Sequence, residues 1–183
     1  MRKKGITIQK TVACCFALLL LSISACGTDD NSNSSGEDAK ELGKEFVTEL
    51  YTVDNPDINV SEMEIEETNE MQHEFSSYLT EDEFKNLANR RFLLMPLEAA
   101  YQNKTTISVQ DVKLDEYESD MSENDELDFE HSFTLVLDDL KEDKEIKITG
   151  EMTVIETEDG PKINRYYDTE IPGELINQDV SLN

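Results

Sequence analysis

Apolar residues follow three successive regimes along this chain. From Thr11 to Leu21 they run nearly uninterrupted behind a basic head of Arg2, Lys3, Lys4 and Lys10. From Ala39 they recur every third or fourth residue, the period of a helix with one buried face. From Lys104 the period falls to two, that of half-buried strands. In the helical regime, Ala39, Leu42, Phe46, Leu50 and Val53 predict an amphipathic helix over Ala39–Val53, with Asp38 as N-cap and Asp54-Asn55-Pro56-Asp57 as its stop. Ile58 to Glu67 is ambiguous. Met71, Phe75, Tyr78 and Leu79 predict a second helix over Asn69–Leu79. Thr80-Glu81-Asp82-Glu83 has the capping-box pattern, in which Thr80 accepts from the first turn and Glu83 reaches back. It opens a third helix that turns Phe84, Leu87 and Ala88 inward and ends at Arg90 and Arg91, cations suited to the negative end of its dipole. Phe92 to Tyr101 is apolar, is broken by Pro96 and takes no assignment.

In the strand regime Ile107 and Val109 alternate, and Val112 and Leu114 then take the opposite parity. That slip predicts a bulge at Gln110-Asp111 or a strand buried on both faces. Phe129, His131, Phe133, Leu135 and Leu137 alternate cleanly, as do Ile146, Ile148, Met152 and Val154, with Gly150 between them as a bend or bulge position. Asp159-Gly160 is a turn signal before a last strand over Ile163–Thr169, and residues 171–183 read as an irregular tail.

Helices followed by a run of antiparallel strands predict an α+β domain over residues 39–170, with N-terminal helices packed on a curved β-meander of about four strands. Through that element order, with Thr106-Ile107-Ser108-Val109-Gln110-Asp111-Val112 leading toward a closing Asp159-Gly160-Pro161-Lys162-Ile163 hairpin, the chain resembles the nuclear-transport-factor-two-like (cystatin-like cone) superfamily. The resemblance implies a concave pocket between sheet and helices, used by some relatives for catalysis and by others only for binding. Fold alone does not decide which.

The first regime reads as an export signal over residues 1–25. It has a basic head, an apolar run and small residues at its end, and the run falls short of the roughly 20 apolar residues that span a bilayer. Cleavage after Ser24 would place Ser22 and Ser24 at the small-residue positions of an ordinary signal. Cleavage after Ala25 would expose Cys26, and Ile23-Ser24-Ala25-Cys26 resembles the bacterial lipobox. That resemblance implies a diacylglyceryl group on the Cys26 thiol with palmitate-type acyl chains, a membrane-anchored bacterial lipoprotein and an extracytoplasmic location. Each buried CH₂ contributes about 0.8 kcal/mol, and two chains suffice for durable anchoring. Residues 26–38 then read as the lipidated cysteine and an acidic flexible linker.

Charge and cysteine content sharpen this picture. All 42 acidic residues follow Cys26 and four of the 16 basic ones precede it, so the chain from Cys26 onward carries a formal charge of −30. Nucleic acid is thereby excluded as a partner, because phosphate binding needs clustered Lys and Arg. The cysteines are Cys14, Cys15 and Cys26, so a chain beginning at Cys26 has one thiol and no internal disulfide.

Candidate chemistry is sparse. His131 shares the apolar parity of its strand, so a general base facing a pocket is one reading and a satisfied core histidine the other. Arg165 and Tyr167 share the parity of Ile163 and are its expected polar companions. His73 falls off the apolar stripe of its helix and takes no role. Asp115 to Glu130 holds nine acids in sixteen residues, a calcium-like composition. However, Asp120-Met121-Ser122-Glu123-Asn124-Asp125 lacks the glycine an EF-hand loop requires. No nucleophile elbow, phosphate-cradling loop or zinc motif is present in the sequence. No catalytic, cofactor or metal residue is therefore assigned. The assigned positions are Ala25 for signal cleavage and Cys26 for lipid attachment. The function that follows is a non-enzymatic binding or accessory lipoprotein, with a protein or small-molecule partner of unknown identity. The alternatives are a cone-pocket enzyme using His131 and a weak calcium-binding surface protein.

Overall fold

A computed structural model describes residues 31–118, 126–138 and 143–169. Residues 1–30, with the export signal, Ala25 and Cys26, lie outside it, as do residues 119–125 of the acid-rich stretch, residues 139–142, and residues 170–183 with the expected tail. Four helices precede four strands: α1 (Asn31–Tyr51), α2 (Ile65–His73), α3 (Glu81–Asn89), α4 (Met95–Asn103), β1 (Thr106–Tyr117), β2 (Glu126–Asp138), β3 (Lys144–Thr157) and β4 (Gly160–Asp168). The strands form one antiparallel sheet in the order β1-β2-β3-β4, the meander expected for an α+β domain.

The helices cover one face of this sheet. Helix α1 buries Ala39, Phe46, Val47, Leu50 and Tyr51, a stripe at helical spacing. It crosses the strands at Gly43, where a Cβ would come within 2.5 Å of Leu114 and 2.8 Å of Met152. From the sheet, Phe129, Phe133, Leu135, Ile148, Met152 and Val154 meet it on alternate positions.

Several boundaries differ from the sequence pattern. Helix α1 is already helical at Asn31, eight residues before Ala39, so residues 31–38 of the expected flexible linker are helical. The polar run there lacks apolar side chains but continues a helix already nucleated downstream, and elongation costs far less than nucleation. Val53 lies beyond α1 and pairs with Ile107 as an isolated antiparallel bridge. Helix α2 starts at Ile65, in the ambiguous stretch, where the Glu67 side chain accepts the Glu64 backbone N–H at 3.1 Å. The expected second helix also ends early. A 3-10 turn over Glu74–Ser77 follows α2, and Leu79 forms a parallel bridge with Ile163. The apolar stretch at Pro96 is a 3-10 turn, Phe92–Leu94, running into α4. Pro96 sits in the first turn of α4, where its missing N–H is no loss.

The capping box at Thr80 is half formed. Thr80 Oγ1 accepts the Glu83 N–H at 3.3 Å, as expected for an N-cap. The Glu83 side chain turns away and, although buried, accepts the backbone N–H of Tyr166 at 2.9 Å. It thus covers an edge position of β4 that would otherwise lack an acceptor.

Candidate functional site

The most concentrated polar chemistry in the core gathers around His131. Two irregularities interrupt the strand parity of the sheet, and the second brings Tyr166 and Asp168 to His131. The parity slip in β1 is a bulge between Gln110 and Lys113, with Asp111 in the left-handed region at φ 55°. A second register shift lies at Thr153/Val154 of β3, opposite Ile163 and Arg165 of β4. One extra residue reverses every later side chain. Ile163 therefore points inward, Arg165 and Tyr167 face the other side of the sheet, and Tyr166 takes the inward position.

The expected companions of His131 are thus replaced. His131 Nε2 lies 2.9 Å from Oδ1 of Asp168, and both side chains are fully buried. The Tyr166 hydroxyl donates to the same oxygen at 2.9 Å, and the Tyr51 hydroxyl donates to Oδ2. The imidazole stacks on Tyr166 with centroids 4.9 Å apart and planes 2° apart, and lies against Phe133 at 5.8 Å. Three donors from α1, β2 and β4 converge on one carboxylate, which places the histidine proton on Nε2. His131 Nδ1 is buried without a hydrogen-bond partner.

Gly150 of β3 stands directly opposite His131 on β2. The pairing runs through it without a shift, so it is not the bulge its composition suggests. A Cβ there would lie 2.6 Å from two ring atoms of His131 and 2.2 Å from the Tyr167 carbonyl oxygen. The glycine is needed for close approach of a ring.

Burial raises the Tyr51 and Tyr166 hydroxyls well above the ordinary tyrosine pKa of 10.0. The nearby Asp168 carboxylate adds to this at Tyr51, and at Tyr166 the Tyr51 hydroxyl and the carboxylate both do. Since the folded values exceed the unfolded one, their contribution to stability is complete below pH 10 and declines above it, as the unfolded chain ionises first. Alkaline titration followed at the tyrosinate absorption band should show Tyr51 and Tyr166 ionising only together with unfolding. The variant Tyr51→Phe/Tyr166→Phe should lose that coincident step. Smooth titration of all six tyrosines in the native state would contradict this.

The reversed side chains build a separate polar row on the outer sheet face. Thr153 Oγ1 donates to Asp128, Arg165 approaches Asp128 at 3.4 Å, and the Tyr117 hydroxyl donates to Glu151 at 3.0 Å. Burial and the Glu151 carboxylate push Tyr117 up to about 12. Asp128, from the acid-rich stretch, is thus engaged with Thr153 and Arg165. Among the described residues no three His, Cys, Asp or Glu side chains converge as a metal site would require. His73 is exposed, edge-on to Phe84 at 5.9 Å.

On the helical side, a groove of about 210 Å³ lies between the C-terminal end of α1, α2 and the turn before α4. Its floor is apolar, with Leu50, Val53, Met71, Phe75 and Leu97, and Glu49, Asp54 and Glu74 stand at its rim. No periodicity pointed to this groove, because its residues serve three different helices.

No family model matches the chain, and no curated protein matches it. Among solved structures, a periplasmic fragment of TraM has 15% identity and a TM-score of 0.49, covering 73% of this chain and 96% of that one. The transfer protein TraH from the Gram-positive conjugative plasmid pIP501 has 13% identity and a TM-score of 0.49, covering 74% and 94%. An IcmL-like type IV secretion system protein from Legionella pneumophila has 13% identity and a TM-score of 0.46, covering 80% and 96%. At those scores the likeness bears on neither function nor partner.

Proposed function

We propose that this protein is a non-enzymatic binding or accessory lipoprotein, held at the extracytoplasmic face of the cell membrane by a diacylglyceryl group on Cys26. The observation that carries the anchor is Ile23-Ser24-Ala25-Cys26 placed directly after a basic head and an apolar run. Binding rather than catalysis is supported by the burial of His131. Its ring has no exposed surface, and its Nε2 is already committed to Asp168. A general base must reach its substrate's proton directly or through one water. Here the imidazole braces the core. No helix among the described residues is long and apolar enough to cross a membrane.

Expression of the full chain in a bacterial host tests the anchor. The processed protein should sediment with membranes, be released by detergent, and carry the mass of a diacylglyceryl group on a peptide beginning at Cys26. Cys26→Ala should leave the membrane fraction. An unmodified terminus at Cys26 or Gly27 would refute the anchor.

A further inference from the structure

The groove between α1, α2 and α4 combines three properties that together define an occupant. Its floor is built from Leu50 and Val53, both nearly buried, and from half-buried Met71, Phe75 and Leu97. Each ionisable residue lining it, Glu49, Asp54 and Glu74, is acidic and exposed. Its volume of about 210 Å³ falls below the roughly 300–1,000 Å³ of pockets that enclose small molecules. A cleft of that size takes one or two aliphatic anchors from a larger body lying across it. Recognition of an amphipathic helix works this way, its apolar side chains at i, i+3 and i+4 entering a shallow groove.

The charge selects the sign of the partner. Three carboxylates rim the groove with no lining cation, inside a chain whose region from Cys26 onward carries −30. Such a field disfavours acidic segments and accelerates the encounter with basic ones. By contrast, the polar depression on the outer sheet face is lined by Asp115, Glu130 and Glu151 together with Lys147, and it lacks an apolar floor.

We propose that this acidic-rimmed groove docks a cationic amphipathic helix of a partner protein, with aliphatic anchors on Leu50, Val53, Met71, Phe75 and Leu97 and Lys or Arg side chains against Glu49, Asp54 and Glu74. The proposal rests on the reading of the domain as a binding module but not on the lipid anchor, which has its own mass test.

The probe is a fluorescein-labelled synthetic helix with Leu at i, i+3, i+4 and i+7 and Lys elsewhere, beside its counterpart with Glu in place of Lys. The protein is the full chain held in zwitterionic phosphatidylcholine nanodiscs, with empty discs as the blank, and the readout is fluorescence anisotropy. The lysine peptide should bind and the glutamate peptide should not. The triple variant Glu49→Lys/Asp54→Lys/Glu74→Lys should lose at least tenfold more affinity than the equally charged Glu145→Lys/Glu156→Lys/Glu158→Lys, whose sites are exposed on the sheet side. Unchanged circular dichroism in both triples separates binding from folding. Equal losses in the two triples would reduce the effect to overall charge and overturn the proposal. So would failure of the wild-type chain to bind, or a dimer abolished by the groove triple, which would make a second copy of this chain the occupant.

Discussion

Replacing Gly150 by alanine should destabilise the protein by about 3 kcal/mol, the upper end of the cost of overpacking a filled core. The added methyl would lie 2.6 Å from His131 Cε1 and Nε2 and 2.2 Å from the carbonyl oxygen of Tyr167. Neither neighbour can give way cheaply. The ring is held by stacking on Tyr166 and by its bond to Asp168, and the carbonyl belongs to the adjoining strand. For a domain of this size, each kcal/mol shifts the melting temperature by roughly 2–4 °C, so a drop of about 10 °C is expected. Urea denaturation of wild type, Gly150→Ala, His131→Ala and the double variant measures it. The double variant should be more stable than the sum of the single losses implies, because one of the two clashes has gone with the ring. A Gly150→Ala loss under about 0.5 kcal/mol, the scatter of ordinary surface substitutions, would show that the approach is not a constraint.

Asp168→Ala should be at least as damaging, at about 4 kcal/mol. It strips the acceptor from Tyr51, Tyr166 and His131 at once, and each orphaned buried donor costs about 1–3 kcal/mol, with the losses not fully additive. Asp168→Asn should cost less, because its amide keeps one carbonyl oxygen and the tyrosine hydroxyls can rotate to accept its N–H. The four-fold apolar replacement Asp168→Leu/His131→Leu/Tyr51→Phe/Tyr166→Phe should recover part of the Asp168→Ala loss, as buried polar clusters often exchange for packed hydrocarbon at little cost. The check is the free energy of unfolding in urea for all three variants. An Asp168→Ala loss below 1 kcal/mol would mean that water or local rearrangement satisfies the three donors, and that the carboxylate is no keystone.

Both predictions concern a cluster of which the sequence showed only part. The parity of Phe129, His131, Phe133 and Leu135 is unbroken through β2, so the burial of His131 was readable from alternation alone. Tyr51 was not, because the stripe read from the sequence ran through Phe46, Leu50 and Val53, and α1 buries Val47 and Tyr51 beside it. Nor were Tyr166 and Asp168. Counting by twos from Ile163 selects Arg165 and Tyr167, and the count fails because β3 and β4 pair with an extra residue at Thr153/Val154. The bulge at Asp111 was legible because apolar residues flank it on both sides and record the slip. Around Asn164 only Ile163 is aliphatic, so nothing in the pattern records the change of phase.

The same division holds for the rest of the chain. Periodicity by itself determined the α+β class, the order of helices and strands, and most of the core, because burying one face imposes a repeat that local sequence must carry. Composition determined the acidity, and the head, apolar run and Ile23-Ser24-Ala25-Cys26 supplied the reading of an anchored lipoprotein. Tertiary structure decided what depends on two segments meeting. It turned Glu83 from a helix cap into an acceptor for Tyr166, made Gly150 a seat for a ring, and assembled an acidic-rimmed groove from separate helices. Each of these rests on a distance between residues far apart in the chain, and no local repeat encodes such a distance.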